Sequence, residues 1–322
     1  MGSPKLGRTP ILVEDEIIER IRNALGAGLA AEALRDDAAL LEVPGPGHSM
    51  VVSVDSVVEN VHFDLTLSSP QDVGWKALMG ALSDLAAMAA QPIGALVALC
   101  VPGLDRGDGL AVEVMAGVAQ ASAASGCPVV GGDVSGAREL TVVVTVLGVP
   151  AEGEVVTRAG ARPGDRLFVT GPCGGSAAGL RQLRDGERSG PALERHRRPV
   201  ARLAEGAAAA RAGAHAMIDV SDGLALDLHR MADESAVGFS LGDVPIATGA
   251  TRVEALGGGE DYELVLAVDQ ADTGLLAATF RAAGLDEPIF LGDVLEDAAT
   301  RTLSGRELGR LGFQHGGAPP RG

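Results

Sequence analysis

The sequence predicts an α+β protein of two domains, and three observations carry the prediction. Its 322 residues exceed the length at which one apolar core stops growing, roughly 250–300. Helix and strand signals alternate in both halves without the strict period of a dinucleotide-binding repeat. Between the halves, Pro150 to Gly164 is rich in Gly, Pro and charge and marks the boundary, dividing the chain into 11–150 and 151–322. Hydrophobic residues make up 46% of the chain, enough for a sizeable core, so global disorder is excluded. Aromatics are only 2%, so that core is built from Ala, Val and Leu.

The elements follow in chain order. Ile17, Ile18, Ile21 and Leu25 recur at helical spacing and predict an opening helix over Glu14 to Leu25. Strands are expected at Ala38 to Val43 and Met50 to Val54, joined by a turn at Pro44 to Gly47. Ser69-Pro70 starts a helix, with Ser as N-cap and Pro in the first turn, running to about Ala90. Ile93 to Val101 reads as strand and Leu110 to Ser125 as helix. Val129-Val130 and Leu140 to Val149 read as strands flanking a Gly-Gly-Asp loop. The second half gives strands at Arg166 to Thr170, Ala216 to Val220, near Phe239, and at Leu264 to Val268 and Ile289 to Leu295. Its helices are expected at Gly175 to Leu183, Pro199 to Ala212 and Ser221 to Asp233. Each domain is expected to be a sheet covered by helices.

Charge narrows the partners. With 43 acidic and 26 basic side chains the net charge is −17, which repels nucleic-acid phosphates and an anionic membrane surface alike. A chain of this balance that handles phosphates must recruit cations. No apolar run reaches the roughly 18 residues of a membrane span, and the start lacks a signal-peptide h-region, so a cytoplasmic protein is expected. Cys100, Cys127 and Cys173 form no C-x-x-C pair and read as thiols, not as a disulfide framework or zinc site.

Short acidic motifs then stand out where strands end or helices begin: Asp36-Asp37, Ser53-Val54-Asp55, Ser83-Asp84, Gly131-Gly132-Asp133, Asp219-Val220-Ser221-Asp222 and Gly258-Gly259-Glu260-Asp261. Taken singly, Asp55 and Asp133 are equally turn formers, and Asp219 or Ser221 a helix cap. Asp84 differs, because Leu82, Leu85, Ala86, Ala87 and Met88 surround it, and a carboxylate in apolar surroundings wants a cation. Oxygen donors without clustered Cys or His select Mg²⁺, which takes one or two carboxylates plus substrate phosphates. The inferred ligand set is Asp37, Asp55, Asp84, Asp133, Asp219 and Asp222.

Phosphate binding has to be built without the commonest nucleotide loop, since neither Lys5 nor Lys76 follows Gly before Ser or Thr. Gly26-Ala27-Gly28 follows a helix and carries little weight. Thr170 to Ser176 is either an anion-binding turn at a helix N-terminus or a plain strand-to-helix turn. Arg158 is either a phosphate clamp or a solvated surface arginine. His62 either orients a substrate or caps a strand.

In order, the motifs DDAALL, SVDSVVENVHF, GWKALMGALSDLAAMAAQP, PVVGGDVS, TRAGARPGD, TGPCGGSAAGL, DVSDGLALDL and GGGEDYEL span residues 36 to 264. Together they resemble the thiamine-monophosphate kinase family, of the superfamily that includes aminoimidazole ribonucleotide synthetase and selenophosphate synthetase. The resemblance implies two α+β domains of the aminoimidazole ribonucleotide synthetase type, the N-terminal one forming a sheet or barrel with its twin in a homodimer. It implies ATP-dependent phosphorylation of thiamine phosphate to thiamine diphosphate with several Mg²⁺ ions. Asp37, Ser53, Asp55, Asp84, Asp133, Asp219 and Asp222 match the metal positions, with Val54 offering a backbone carbonyl. Gly132, Asp133, Arg158 and Ser221 match the ATP contacts; His62, Glu260 and Phe313 match the thiamine-phosphate side. Of these, Asp55, Asp84, Asp133, Arg158 and Asp222 are the expected catalytic residues.

The chain departs from the family pattern at Arg35, where Gly is usual, at Val54, where Thr is usual, at Met115, near where an aromatic often flanks adenine, and after His315. None of these removes a carboxylate. The alternatives are another ATP-dependent phosphoryl-transfer enzyme of the superfamily, or a non-catalytic nucleotide- and Mg²⁺-binding regulator on the same scaffold. Selenophosphate synthetases carry a reactive Cys or selenocysteine near the N-terminus, whereas the first cysteine here is Cys100.

Overall fold

A computed structural model describes residues 35–42, 49–103, 109–151 and 155–314. The expected helix at Glu14 to Leu25, the Gly26 motif and the Pro44 to Gly47 turn lie outside the described residues. Two mixed α+β domains are present, each with one sheet. The first sheet holds β1 (Ala39–Glu42), β2 (Ser49–Val58), β3 (Ala90–Pro102), β4 (Val129–Ala137) and β5 (Thr141–Pro150), in the order β1-β2-β5-β3-β4. All its pairings are antiparallel except β3 with β4.

Two helices back this sheet, α1 (Pro70–Ala87) and α2 (Leu110–Ser125). The sequence starts α1 with a capping box: Ser69 Oγ accepts from the Asp72 N–H, and the Asp72 carboxylate accepts from the Ser69 N–H. α1 is apolar on nearly all sides because it is buried on nearly all sides, from Val73 to Ala87. One side packs on β2 and β5, the other on the C-terminal domain. Gly74 and Gly117 let α1 and α2 approach closely, since a Cβ on either meets backbone of the other helix.

The second sheet runs β12-β11-β8-β10-β6-β9-β7, with β6 (Arg166–Val169), β7 (Ala216–Asp219), β8 (Gly238–Leu241), β9 (Leu264–Val268), β10 (Ile289–Leu295), β11 (Arg301–Leu303) and β12 (Arg306–Glu307). Its helices are α3 (Gly175–Arg184), α4 (Pro191–Arg197), α5 (Leu203–Arg211), α6 (Leu224–Glu234), α7 (Arg252–Gly257) and α8 (Thr273–Ala282). β9 is buried along its whole length because both its faces are covered. Val265 and Ala267 join the core under α6, while Leu264, Leu266 and Val268 pack with Ala208 of α5 and Phe280 of α8.

Both sheets are backed by helices as expected, and neither is covered throughout: in the second, Ile289 and Phe290 of β10 are exposed. In the first, Val51, Val57, Val97, Leu99, Val142, Val144 and Val146 face α1 and α2, whereas Val54 and Leu96 on the opposite face are exposed. β4 is exposed along nearly its whole length, Val130 and Val134 included. A second correction concerns Gly131-Gly132-Asp133, expected as a loop. These residues lie inside β4, paired with Leu96, Val97 and Ala98 of β3. Gly132 sits where a Cβ would collide with the Val97 carbonyl, so the glycine serves strand pairing and not a turn. Helices α4, α7 and α8 add to those read from the sequence, and α5 begins at Leu203, after Pro199. Cys127 and Cys173 are buried free thiols and Cys100 a half-buried one.

Candidate active site

The site is organised along α1. Lys76, Gly80 and Asp84 stand at i, i+4 and i+8, on one face of the helix, and the first and last are roughly 12 Å apart at 1.5 Å per residue. Gly80 and Asp84 line a cavity of about 570 Å³ between the two domains. Asp55, Asp219, Ser221 and Asp222 also line it, as do His62, His196, Glu260, Tyr262 and Phe313.

At the Asp84 end, carboxylate oxygens of Asp37, Asp84 and Asp219 lie within 4.8 Å of one another. They come from three places: the bend before β1, the end of α1, and the C-terminal end of β7 in the other domain. Serine hydroxyls hold them. Ser53 Oγ donates to Asp84, and Ser83 Oγ donates to Asp219 Oδ2 at 2.7 Å. Arg158 pairs with Asp37 and approaches Asp36 at 3.7 Å, so the guanidinium foreseen as a phosphate clamp or a surface group is neither free nor solvated.

Among the described residues one base stands with these acids, and the cluster is short of positive charge. Burial pushes the Asp84 and Asp219 carboxyls well above the usual range, and neighbouring carboxylates, Asp37 among them, push both further. Asp36 is raised to about 6 by burial and then by Asp37. Asp37 Oδ2 is buried and makes no hydrogen bond. A buried, unpartnered oxygen among all-oxygen donors that resist joint ionisation fits a hard divalent cation such as Mg²⁺.

The other predicted ligands are placed differently. Asp55 lies within β2, which runs on past the expected end at Val54; Asp84 lies within the expected helix, and Asp219 ends a strand. Asp222 lines the cavity and pairs with Arg230, and its turn is held by Asp227, whose Oδ2 accepts from the Asp222 and Gly223 N–H groups, each at 3.0 Å. Asp133 is not brought to the cluster within one chain. The register puts it in the row of Ser56, Val143 and Ala98, on the sheet face away from α1, whereas Asp55 shares a row with Val144 on the near face. Of the four expected nucleotide contacts only Ser221 lines the cavity; Gly132 and Asp133 sit on exposed β4 and Arg158 behind Asp37.

His62, Glu260 and Phe313, the residues expected on the thiamine-phosphate side, line the same cavity, and Glu260 meets Lys76. His62 Nδ1 accepts the Val58 N–H at 3.0 Å, which leaves the proton of a neutral ring on Nε2. Phe313 is tied to the site through its N–H to the Asp222 carbonyl, 2.9 Å. Glu260 and Tyr262 both adopt left-handed backbone, φ 65° and 50°, unusual for side chains other than Gly and found where a site over-determines its geometry. Their N–H groups bond to the carbonyls of Ser221 (2.7 Å) and Val220 (2.8 Å), fixing the turn against the end of β7.

Glu260 meets the opposite fate to Asp84. Burial would raise its pKa, yet the Lys76 ammonium 2.7 Å away, together with the imidazoles of His196 and His62, holds the carboxyl below its ordinary value. His196, whose Nδ1 is 2.9 Å from Ser176 Oγ, is pushed down to about 4 by burial and then by Lys76, so it is neutral.

Sequence reasoning missed Lys76, Gly80, His196 and Tyr262. The i, i+4, i+8 face shared with Asp84 was the available signal for the first two; nothing local marks His196. A Cβ on Gly80 would lie 3.0 Å from Tyr262 Oη and 3.2 Å from Asp55 Oδ2, so this mid-helix glycine makes room for both. The glycine-rich turn after β6 resolves unexpectedly as well. Its Gly174 and Ser176 N–H groups donate to the buried Asp261 carboxylate, so the anion at the α3 N-terminus is supplied by the chain itself.

Comparisons with known proteins fit this arrangement. The family described as AIR synthase related protein, N-terminal domain, matches residues 35–150, and its C-terminal-domain counterpart matches 162–303. The thiamine-monophosphate kinase of Methanospirillum hungatei is 33% identical over 306 residues, 93% of this chain and 98% of that protein. That of Bacillus subtilis is 36% identical over 288 residues, 83% and 86% of the two chains. The solved structure of "AaThiL complexed with AMPPCP and TMP" superposes with a TM-score of 0.82 at 28% identity, covering 97% of this chain and 100% of that one.

Proposed function

The chain belongs to the thiamine-monophosphate kinase family of AIR synthase related proteins, and from that premise we propose that its cavity is where thiamine phosphate receives the γ-phosphate of ATP. It is a kinase whose acceptor is itself a phosphate group. The observation that carries the reading is the α1 face, which joins a cation-hungry carboxylate cluster at Asp84 to the Glu260, His62 and Phe313 side in one cavity.

The nucleophile is a phosphate oxygen. A phosphomonoester has its second pKa near 6 and is largely dianionic at neutral pH, so no side chain has to take a proton. Neutral His196 is not needed as a base. The task is to align two anions and to hold charge on the group in flight, with direct in-line transfer and no phosphoenzyme.

Asp37, Asp84 and Asp219 would hold Mg²⁺, with Asp55 and Asp222 beside them on the cavity wall and Ser53, the Val54 carbonyl and Asp133 as further proposed ligands. Bound there, such ions screen the two phosphates from each other and withdraw charge from the transferring group. Ser53 and Ser83 keep the Asp84 and Asp219 carboxylates aimed while this happens. Arg158, Ser221, Gly132 and Asp133 are the proposed nucleotide contacts. For Arg158 the fork that now pairs with Asp37 matches phosphate oxygens equally well; for Gly132 and Asp133 the assignment rests on the family motif. His62, Glu260 and Phe313 are assigned to the organic part of thiamine phosphate.

The active form is proposed to be a homodimer built on the first sheet, whose outer face leaves Val54 and Leu96 uncovered beside exposed β4. Residues 11–150 and 151–322 are taken as the two domains, and a cytoplasmic location is consistent with the described helices, none of which is long and apolar enough to cross a membrane. The test is ADP formation from ATP with and without thiamine phosphate, with the product identified by mass as thiamine diphosphate. ATP turnover indifferent to thiamine phosphate would overturn the assignment.

A further inference from the structure

Lys76 is one of only two lysines among 26 basic side chains, and it is 3% exposed. An ammonium buried to that degree is costly unless a counter-charge meets it. The partner comes from the other domain: Glu260 Oε2, 2.7 Å from Nζ. His196 Nδ1 approaches the same oxygen at 3.6 Å. Both contacts fall on Oε2 of a side chain that lines the cavity, so the carboxylate is oriented and Oε1 stays outside these two contacts. The left-handed backbone at Glu260 and its N–H bond to Ser221 fix the other end of the side chain. The organic part of thiamine phosphate offers an amino group and a cationic ring, both suited to a carboxylate held in this way.

We propose that Lys76 is a positioning residue for substrate recognition: its ammonium, across the domain boundary, fixes Glu260 so that one carboxylate oxygen receives the organic part of thiamine phosphate. The proposal rests on the kinase reading above. Lys76 does not itself touch the substrate and acts only through Glu260.

The test is steady-state kinetics on the full chain with Lys76→Met, Glu260→Gln and the double variant, varying thiamine phosphate and ATP separately. Lys76→Met is expected to raise KM for thiamine phosphate by about tenfold or more while KM for ATP stays within about threefold. Because Lys76 works through Glu260, the double variant should be no worse than Glu260→Gln alone. The double variant also removes both charges of the pair, so it remains informative if Lys76→Met by itself does not fold. An unchanged KM for thiamine phosphate in Lys76→Met, an equal loss for both substrates, or a double variant worse than Glu260→Gln alone would each overturn the proposal. Absence of thiamine-phosphate-dependent turnover in the unsubstituted chain would instead remove the kinase reading, and the proposal with it.

Discussion

The two ends of the α1 face treat a buried carboxylate in opposite ways. At Asp84, acids from three segments converge with Arg158 as the base beside them, and their pKa values rise. Eight residues earlier, Glu260 meets Lys76 and its pKa falls. A third case, Glu263, is fully buried and bound by Arg195 and Arg202, each at 2.6 Å. At Glu263 and Glu260 the chain supplies the cation and the carboxylate is held in place. At Asp84 and Asp219 it supplies too little positive charge, which is the observation behind the proposed metal site.

The largest expected effect tests that division directly. Asp84→Asn, or Asp55→Asn on the neighbouring strand, should lower kcat by about a thousandfold or more, the scale of losing metal-assisted charge stabilisation. Circular dichroism should show the fold intact. Near-normal turnover in either variant would break the comparison.

Glu263→Gln should do the reverse, costing about 3–5 kcal/mol of stability because two arginines lose a buried partner. Urea denaturation measures it; a loss below about 1 kcal/mol would mean that the pairing is not structural.

Next in size is the response to magnesium. At a hundred times its Kd, a ligand of the folded state adds about 2.7 kcal/mol, enough to raise Tm by several degrees. Chelation should reverse the rise, and Asp84→Asn should lack it.

Smallest is the pH dependence, where the two ends carry opposite signs. His196, lowered from 6.5 to about 4, binds its proton more readily in the unfolded chain, so it removes stability as pH falls from 6.5 towards 4. Asp36, raised from 3.8 to about 6, is protonated more readily in the folded chain and adds stability as pH falls from 6 towards 3.8. Denaturation across pH 4–6.5 should show a shallower acid loss in His196→Gln and a steeper one in Asp36→Asn. Equal slopes in all three proteins would contradict both assignments.

Local chemistry in the sequence located much of this. Ser69-Pro70 begins α1, Leu110–Ser125 is α2 with the predicted bounds, and the apolar neighbours of Asp84 marked it as a charge needing a cation. What could not be read depended on distant pairing. Lys76 and Glu260 are far apart along the chain and meet only when the domains close on α1. The glycine-rich turn looked like an anion site because the anion that fills it, Asp261, is supplied from the turn before β9. Motif spacing does not reveal which face of a strand a side chain takes, so the position of Asp133 on the face away from α1 is not legible in the sequence. That one face of the first sheet is left without helices is not legible in the strands themselves, since an apolar strand reads the same whatever lies over it.

One further consequence comes from α1 itself. It is packed into the first domain, yet its Trp75, Lys76 and Ser83 side chains are bonded to Pro199, Glu260 and Asp219 of the second, and Gly206 lies against the Ala86 backbone. That helix therefore ties both halves together along the floor of the cavity, and Val61 and Phe313 are exposed side chains on the cavity wall.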